Sequence, residues 1–205
     1  MRNYRPVLWL NSLSLFLVIA LIFYSQRFGS SVSSLFLHPP FSPYFNVALL
    51  THTFQILCSV PPIICGFSFS LLKKIQPHSQ NNSFILWSAL ITTGFLFNEI
   101  YRIHVLLAIA GIPKLVTIFV YAIFLLAYSF LFRLSIQETP YTLLLIGIGL
   151  LLIGIIVDSL KLPGATLPSL LEGVPKLFSE INISLYFWYV CYQEVMRSFY
   201  ASRQL

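Results

Sequence analysis

The sequence predicts an all-α, polytopic integral membrane helical bundle of about six transmembrane helices, forming a single domain over residues 1–205. Of the residues, 58% are hydrophobic and only 9% are charged, whereas soluble domains carry roughly 25% charged residues. The mean hydropathy is +0.85. The apolar runs match the roughly 20 residues that a helix needs to cross a bilayer, and they are too continuous for barrel strands. These observations indicate the membrane class.

Six apolar runs define the elements, and proline, glycine and asparagine signals typical of turns separate them. The predicted spans are about 7–25, 46–72, 84–110, 115–132, 141–157 and 169–193. We interpret the first run as a retained span, because it is longer than the apolar region of a signal peptide and no clear small-residue cleavage site follows it. Pro61-Pro62 is expected to kink the second span, because proline removes a backbone hydrogen bond. The predicted breaks include His38-Pro39-Pro40, Gln76-Pro77, Gly111-Ile112-Pro113, Thr139-Pro140 and Leu162-Pro163-Gly164.

The distribution of basic residues predicts the orientation. Six spans place both termini on one side, and that side carries Arg2, Arg5, Lys73, Lys74, Arg133, Arg197 and Arg203. The opposite side carries Arg27, Lys114, Lys161 and Lys176. Because cytoplasmic loops carry an excess of Lys and Arg, both termini are predicted to be cytoplasmic. The basic residues form no tract, so we interpret the net charge of +6 as topology and expect no nucleic-acid partner.

The segment FLFNEIYRIH, residues 95–104, carries strongly polar side chains inside an apolar run. Under the predicted topology, these residues and polar residues of three other spans fall in the outer half of the bilayer. Ionisable residues inside a membrane are costly and usually face a bundle interior or a water-filled cavity. The sequence therefore predicts a functional region built from the second, third, fifth and sixth spans. The candidate residues are His52, Asn98, Glu99, Arg102, His104, Asp158, Glu172, Lys176 and Glu180.

Helical spacing predicts how the residues of the third span pair. On a continuous helix, Arg102 follows Glu99 by three positions and Asn98 by four, so it can meet both. We interpret Glu99 and Arg102 first as a structural ion pair. For His52 and His104, the interpretation as polar anchors is preferred to the interpretation as metal ligands.

A second set of charges lies at the start of the sixth span. Glu172, Lys176 and Glu180 step by four positions and predict a ladder with one cation between two anions. Pro175 is expected in the first helical turn, which would leave Glu172 just outside the helix. Asp158, with Lys161 following it, is interpreted as a cap or a surface pair.

Cysteines and glycines are interpreted as packing residues. Cys58, Cys65 and Cys191 lie in apolar runs and suit small apolar packing positions. The glycines of the fifth span form no small-xxx-small pair, so no dimerisation signature is predicted there. These glycines are Gly147, Gly149 and Gly154.

Two classes of function remain open, because none of the catalytic motifs we sought is present. The first is a small carrier, or a subunit or assembly factor of a larger membrane complex, with the lipid bilayer and other membrane-protein subunits as partners. The alternative is an intramembrane enzyme that acts on a lipid or lipid-linked substrate, either with or without a metal ion. His52, His104 and Glu99 are the candidate metal ligands, since imidazole and carboxylate groups bind zinc. The sequence assigns no catalytic residues and no cofactor.

Overall fold

The computed structural model describes residues 5–27, 32–36, 48–77, 79–160, 163–164 and 166–202. All regular secondary structure in these ranges is helical, which confirms the predicted all-α fold. The predicted break at 38–40, residues 46–47 of the second predicted span, and Arg2, Lys161 and Arg203 lie outside the described residues. The helices are α1 (Arg5–Arg27), α2 (Leu49–Ile75), α3 (Gln80–Tyr101), α4 (Ile103–Ile109), α5 (Lys114–Leu131), α6 (Arg133–Glu138), α7 (Tyr141–Ser159) and α8 (Thr166–Ser202), with a short 3-10 helix at Val32–Leu35.

Turn residues end the helices where the sequence predicts it. Gly111 adopts a φ of 88°, which glycine tolerates without a steric penalty, and α5 begins directly after Pro113. Between α2 and α3, the side-chain amide of Asn82 donates a 2.7 Å hydrogen bond to the carbonyl of Gln76. These local interactions close the turns and satisfy backbone groups that helix ends leave open.

Three helix boundaries differ from the prediction. The third predicted span is divided into α3 and α4 at Arg102. Glu138, which lies between the predicted spans 115–132 and 141–157, is the last residue of the short helix α6. Helix α8 begins earlier than predicted, so Pro175 lies inside it and Glu172 belongs to the helix. A proline removes one backbone hydrogen bond and can kink a packed helix without ending it.

The chain forms two compact units. Unit 1 comprises Met1–Ile56 and Leu143–Leu185, and unit 2 comprises Leu57–Thr142 and Tyr186–Leu205. Helices α2 and α8 therefore each begin in unit 1 and end in unit 2.

Close packing of α7 against α8 characterises unit 1. A Cβ atom added at Gly147 would lie 2.7 Å from Cγ1 of Ile183, and one at Gly154 would lie 2.7 Å from Cγ of Lys176. These two glycines are one heptad apart on α7, so they form a small-residue face that lets the backbones approach closely. The side chain of Asn182 on α8 bonds to that of Asn11 on α1.

Aromatic residues and buried hydroxyl groups characterise unit 2. The ring of Phe84 packs against the rings of Tyr128 and Phe132, with centroids 6.0 and 5.6 Å away. The hydroxyl groups of Ser88 and Tyr128 share a 2.6 Å hydrogen bond. Tyr186, which is fully buried, has its hydroxyl 3.0 Å from that of Thr139. Buried polar groups need such partners, because desolvating them unpaired is costly.

Among the described residues, four helices are long and apolar enough to cross a membrane. They span Arg5–Arg27, Leu49–Ile75, Asn81–Tyr101 and Tyr141–Ser159. Helix α5 contributes a shorter apolar segment, Leu115–Leu131. The predicted fourth and sixth spans correspond to α5 and α8. That these two helices cross the membrane stays a prediction, and so does the orientation of the termini.

Candidate functional site

The polar segment at residues 95–104 marks the end of one helix and the start of another. Arg102 adopts the left-handed conformation, with φ 50° and ψ 44°, which is unfavourable for residues other than glycine. Because α3 is 22 residues long, it extends about 33 Å at 1.5 Å per residue. That length is enough to cross a bilayer. Arg102 therefore lies at the end of an apolar helix, whereas the sequence predicts it inside a longer one.

Asn98 connects the two helices across this break. Its side chain is 7% exposed, and its Oδ1 atom accepts a 3.2 Å hydrogen bond from the backbone N–H of His104. The ring nitrogen Nδ1 of His104 lies 3.3 Å from the same oxygen. Asn98 thus satisfies one of the backbone donors that open at the start of α4, in an apolar region where an unpaired donor is costly.

Asn98 also bonds to its neighbour in the chain, and the helix break changes the predicted pairing with Arg102. The side-chain amide of Asn98 also donates a 3.4 Å hydrogen bond to Oε1 of Glu99. The predicted pairing with Arg102 rests on the three- and four-residue spacing of one continuous helix. Because α3 ends at Tyr101, this spacing does not apply to Arg102.

The other predicted residues all belong to unit 1. Nδ1 of His52, which is exposed, lies 3.4 Å from Oε1 of Gln55 on the next turn of α2. Nζ of Lys176 forms a 2.6 Å ion pair with Oε1 of Glu172, which matches the first step of the predicted ladder. Glu180 is 2% exposed, and Asp158 lies in the last turn of α7.

The candidate metal ligands divide between the units, with His52 in unit 1 and Glu99 and His104 in unit 2. Within the described ranges, no three His, Cys, Asp or Glu side chains are grouped so that they could hold a metal ion.

Unit 2 contains a polar groove that the sequence analysis did not predict. Two overlapping open hollows of 320 and 380 Å³ share the lining residues Glu138, Glu194 and Arg197. The second hollow is also lined by Gln76, Asn81 and Ser198. We call the surface formed by the three shared residues and these three the polar groove. It joins the end of α2, the start of α3 and the ends of α6 and α8.

The polar groove combines charges of both signs with hydrogen-bonding side chains. The side-chain amide of Asn81 donates a 2.9 Å hydrogen bond to Oε2 of Glu194, and the hydroxyl of Ser198 donates a 3.4 Å bond to Oε1 of Gln76. Carboxylates accept hydrogen bonds from cationic and amide donors, and guanidinium binds anionic groups, often through two parallel bonds. The polar groove is therefore suited to binding a polar segment that carries both donors and an acidic group.

The sequence contained a signal for this groove. Under the predicted six-span topology, the turn at 76–82, Glu138 and the end of the last helix all lie on one side. The sequence prediction favoured the polar residues that the topology places in the outer half of the bilayer, because ionisable residues inside a membrane are costly. Residues at helix ends are ordinary on their own, and only the packing of unit 2 shows that these line one groove.

The fold and the groove define a class of protein. Its described part is all-α, contains four helices long and apolar enough to cross a membrane, and has a charged groove at helix ends in one of its two units. The chain belongs to the family described as Domain of unknown function (DUF8692), whose model matches residues 8–190. No curated protein matches the chain, and no solved structure matches it.

Proposed function

We propose that this protein is a multi-pass integral membrane protein that serves as a subunit or assembly factor of a larger membrane complex. One observation carries the proposal: a polar side chain on α1 and one on α8, two helices of unit 1, bond to each other. Asn11 and Asn182 exchange two hydrogen bonds, of 3.3 and 3.1 Å. Interhelical bonds of this kind hold helices together in membranes. They support a structural role, whereas a carrier uses such groups to line a substrate cavity near the bilayer midplane.

The surface of the helices is suited to a membrane partner as well as to lipid. Large apolar side chains on α1 and α5 are exposed, including Trp9 at 74%, Phe119 at 66% and Phe130 at 76%. In the proposed complex, these faces contact lipid or other subunits, and the polar groove binds a polar segment of a partner at the membrane edge. Aromatic residues are enriched where protein surfaces meet.

Purification from the native membrane under mild conditions tests the proposal. We expect one or more membrane proteins to co-purify in stoichiometric amounts, as measured by mass spectrometry. Arg197→Gln should lower recovery of the partner, because it removes the guanidinium of the polar groove. Arg133→Gln is the matched control, since it removes the same charge from the same unit outside the groove.

The same purified preparation also distinguishes the proposed complex from the other classes of function. A protein that is recovered alone, in amounts unchanged by Arg197→Gln, would contradict the proposed complex. A lone protein with about one equivalent of bound metal, by elemental analysis, would support the intramembrane enzyme instead.

A small carrier is the second candidate, and one observation favours it. Glu180 is only 2% exposed and lies well inside α8, and buried ionisable residues in membrane helices are typical of transport pathways. The test is complementation of a deletion strain by Glu180→Gln. A carrier predicts lost complementation at unchanged abundance of both the protein and its partner, whereas a structural role predicts lower abundance.

A further inference from the structure

Two cysteines that are far apart in the sequence meet in unit 2. The Sγ atoms of Cys65 on α2 and Cys191 on α8 are 3.8 Å apart, although 126 positions separate the residues in the chain. Cys65 is fully buried and Cys191 is 1% exposed. The sequence suggests only packing for each residue taken singly, and it gives no sign of this contact.

The geometry places the two sulfur atoms in van der Waals contact. A disulfide has an S–S bond of about 2.05 Å. The two sulfur atoms, which are 3.8 Å apart, therefore need to move closer by roughly 1.75 Å to form one. Ser68, one turn after Cys65 on α2, also interacts with the Cys191 thiol.

We propose that Cys65 and Cys191 are a modification site at which a lipophilic quinone oxidises the two thiols to a disulfide. Two S–H bonds break and one S–S bond forms, while two electrons and two protons reduce the quinone to a hydroquinone. The product is a covalent link between α2 and α8 within unit 2. This inference does not depend on the proposed function.

The position of the pair selects the class of oxidant. Cys65 lies within Leu49–Ile75, one of the helices apolar enough to cross a membrane, so an oxidant dissolved in the lipid reaches this depth more readily than one dissolved in water. Buried thiols are inert while they stay buried. The reaction therefore takes place during local separation of α8 from α2, of the kind that folded proteins undergo, or before α8 has packed.

The test uses the full-length protein in its membrane. Membranes are treated with a short-chain ubiquinone analogue and quenched with acid, and the protein is denatured, alkylated with N-ethylmaleimide and digested. We expect mass spectrometry to detect a cross-linked peptide that contains Cys65 and Cys191, and alkylation to decrease from three thiols to one. Dithiothreitol should restore all three.

Cys58 provides a matched control. It is on the same helix as Cys65, one heptad earlier, and is also 1% exposed. Cys58→Ser should form the cross-link as the wild type does, and Cys65→Ser and Cys191→Ser should not form it. Three alkylated thiols in quinone-treated wild type would overturn the proposal. A cross-link formed with diamide but not with the quinone would overturn the assigned oxidant and with it the proposal as stated.

Discussion

The Oδ1 atom of Asn98 lies 3.2 Å from the backbone nitrogen of His104 and accepts its hydrogen bond across the break between α3 and α4. This contact explains why an amide stands near the end of a long apolar run. The break opens backbone donors at the start of α4, and the buried side-chain acceptor one turn before it satisfies one of them. The polar segment is in this respect a structural joint between two helices.

Replacing Asn98 by a residue of similar size without an acceptor should destabilise this joint. Asn98→Leu leaves the N–H of His104 without its acceptor, and we expect a loss of about 1–3 kcal/mol in the free energy of unfolding. The measurement is unfolding by SDS titration in detergent micelles. Asn98→Asp keeps an acceptor oxygen and should retain more of the stability than Asn98→Leu does. Equal losses in the two variants would show that the acceptor is not what matters.

The conformation of Arg102 predicts an unusual response to glycine. An L-residue in the left-handed region is disfavoured by roughly 1–2 kcal/mol relative to glycine. Arg102→Gly should therefore be more stable than Arg102→Ala by about 1 kcal/mol, as measured by thermal unfolding in micelles. Both variants lose the guanidinium group, so the difference between them reports only the backbone conformation. Equal stability of the two variants would contradict this expectation.

The glycines of α7 offer an internal comparison. Gly147→Ala should destabilise unit 1 by about 1–3 kcal/mol, the usual effect of overpacking a close contact, because its Cβ would lie 2.7 Å from Ile183 and 3.1 Å from the carbonyl oxygen of Ser179. Gly149 is on the same helix, and nothing lies within 4 Å of a Cβ added there. Gly149→Ala should be neutral or stabilising by up to about 1 kcal/mol, through helix propensity. Thermal unfolding of both variants in one detergent makes the comparison, and equal effects would refute the packed face.

The reciprocal pair of Asn11 and Asn182 is suited to a double-mutant cycle. Each single change to leucine removes one partner and leaves the other amide without its interhelical bond. We expect an interaction free energy of about 0.6 to 2 kcal/mol, the range for interhelical hydrogen bonds in membrane proteins, from the four unfolding free energies. Additive effects, with no interaction term beyond about 0.5 kcal/mol, would mean that the pair does not link α1 to α8 energetically.

Much of the fold follows from local patterns in the sequence. The apolar runs predict α1, α2, α5 and α7 to within a few residues, and the breaks at Gly111–Pro113 and Thr139–Pro140 occur where predicted. Turn residues act on their own neighbours, so their effect can be read without knowledge of the tertiary structure. The break at Arg102 escaped prediction because arginine is an ordinary helix former, and because it contains neither glycine nor proline.

The candidate site was predicted only in part. The four-residue step from Glu172 to Lys176 is local, and the structure contains the ion pair. The wider cluster was inferred from depth in a predicted topology, and its convergence stays a prediction. Glu138 and Glu194 were not predicted as site residues, because charges at helix ends are not costly.

The sequence by itself determined that this protein is helical, strongly apolar and divided by turn signals, because hydropathy and turn chemistry are properties of short segments. Only the tertiary structure decided which distant residues meet. It joined Cys65 to Cys191 and Asn11 to Asn182, and it brought Glu138, Glu194 and Arg197 into one groove. The physical reason is that such contacts depend on how each helix is rotated and placed against its neighbours. Side-chain packing sets that arrangement, and no single segment encodes it.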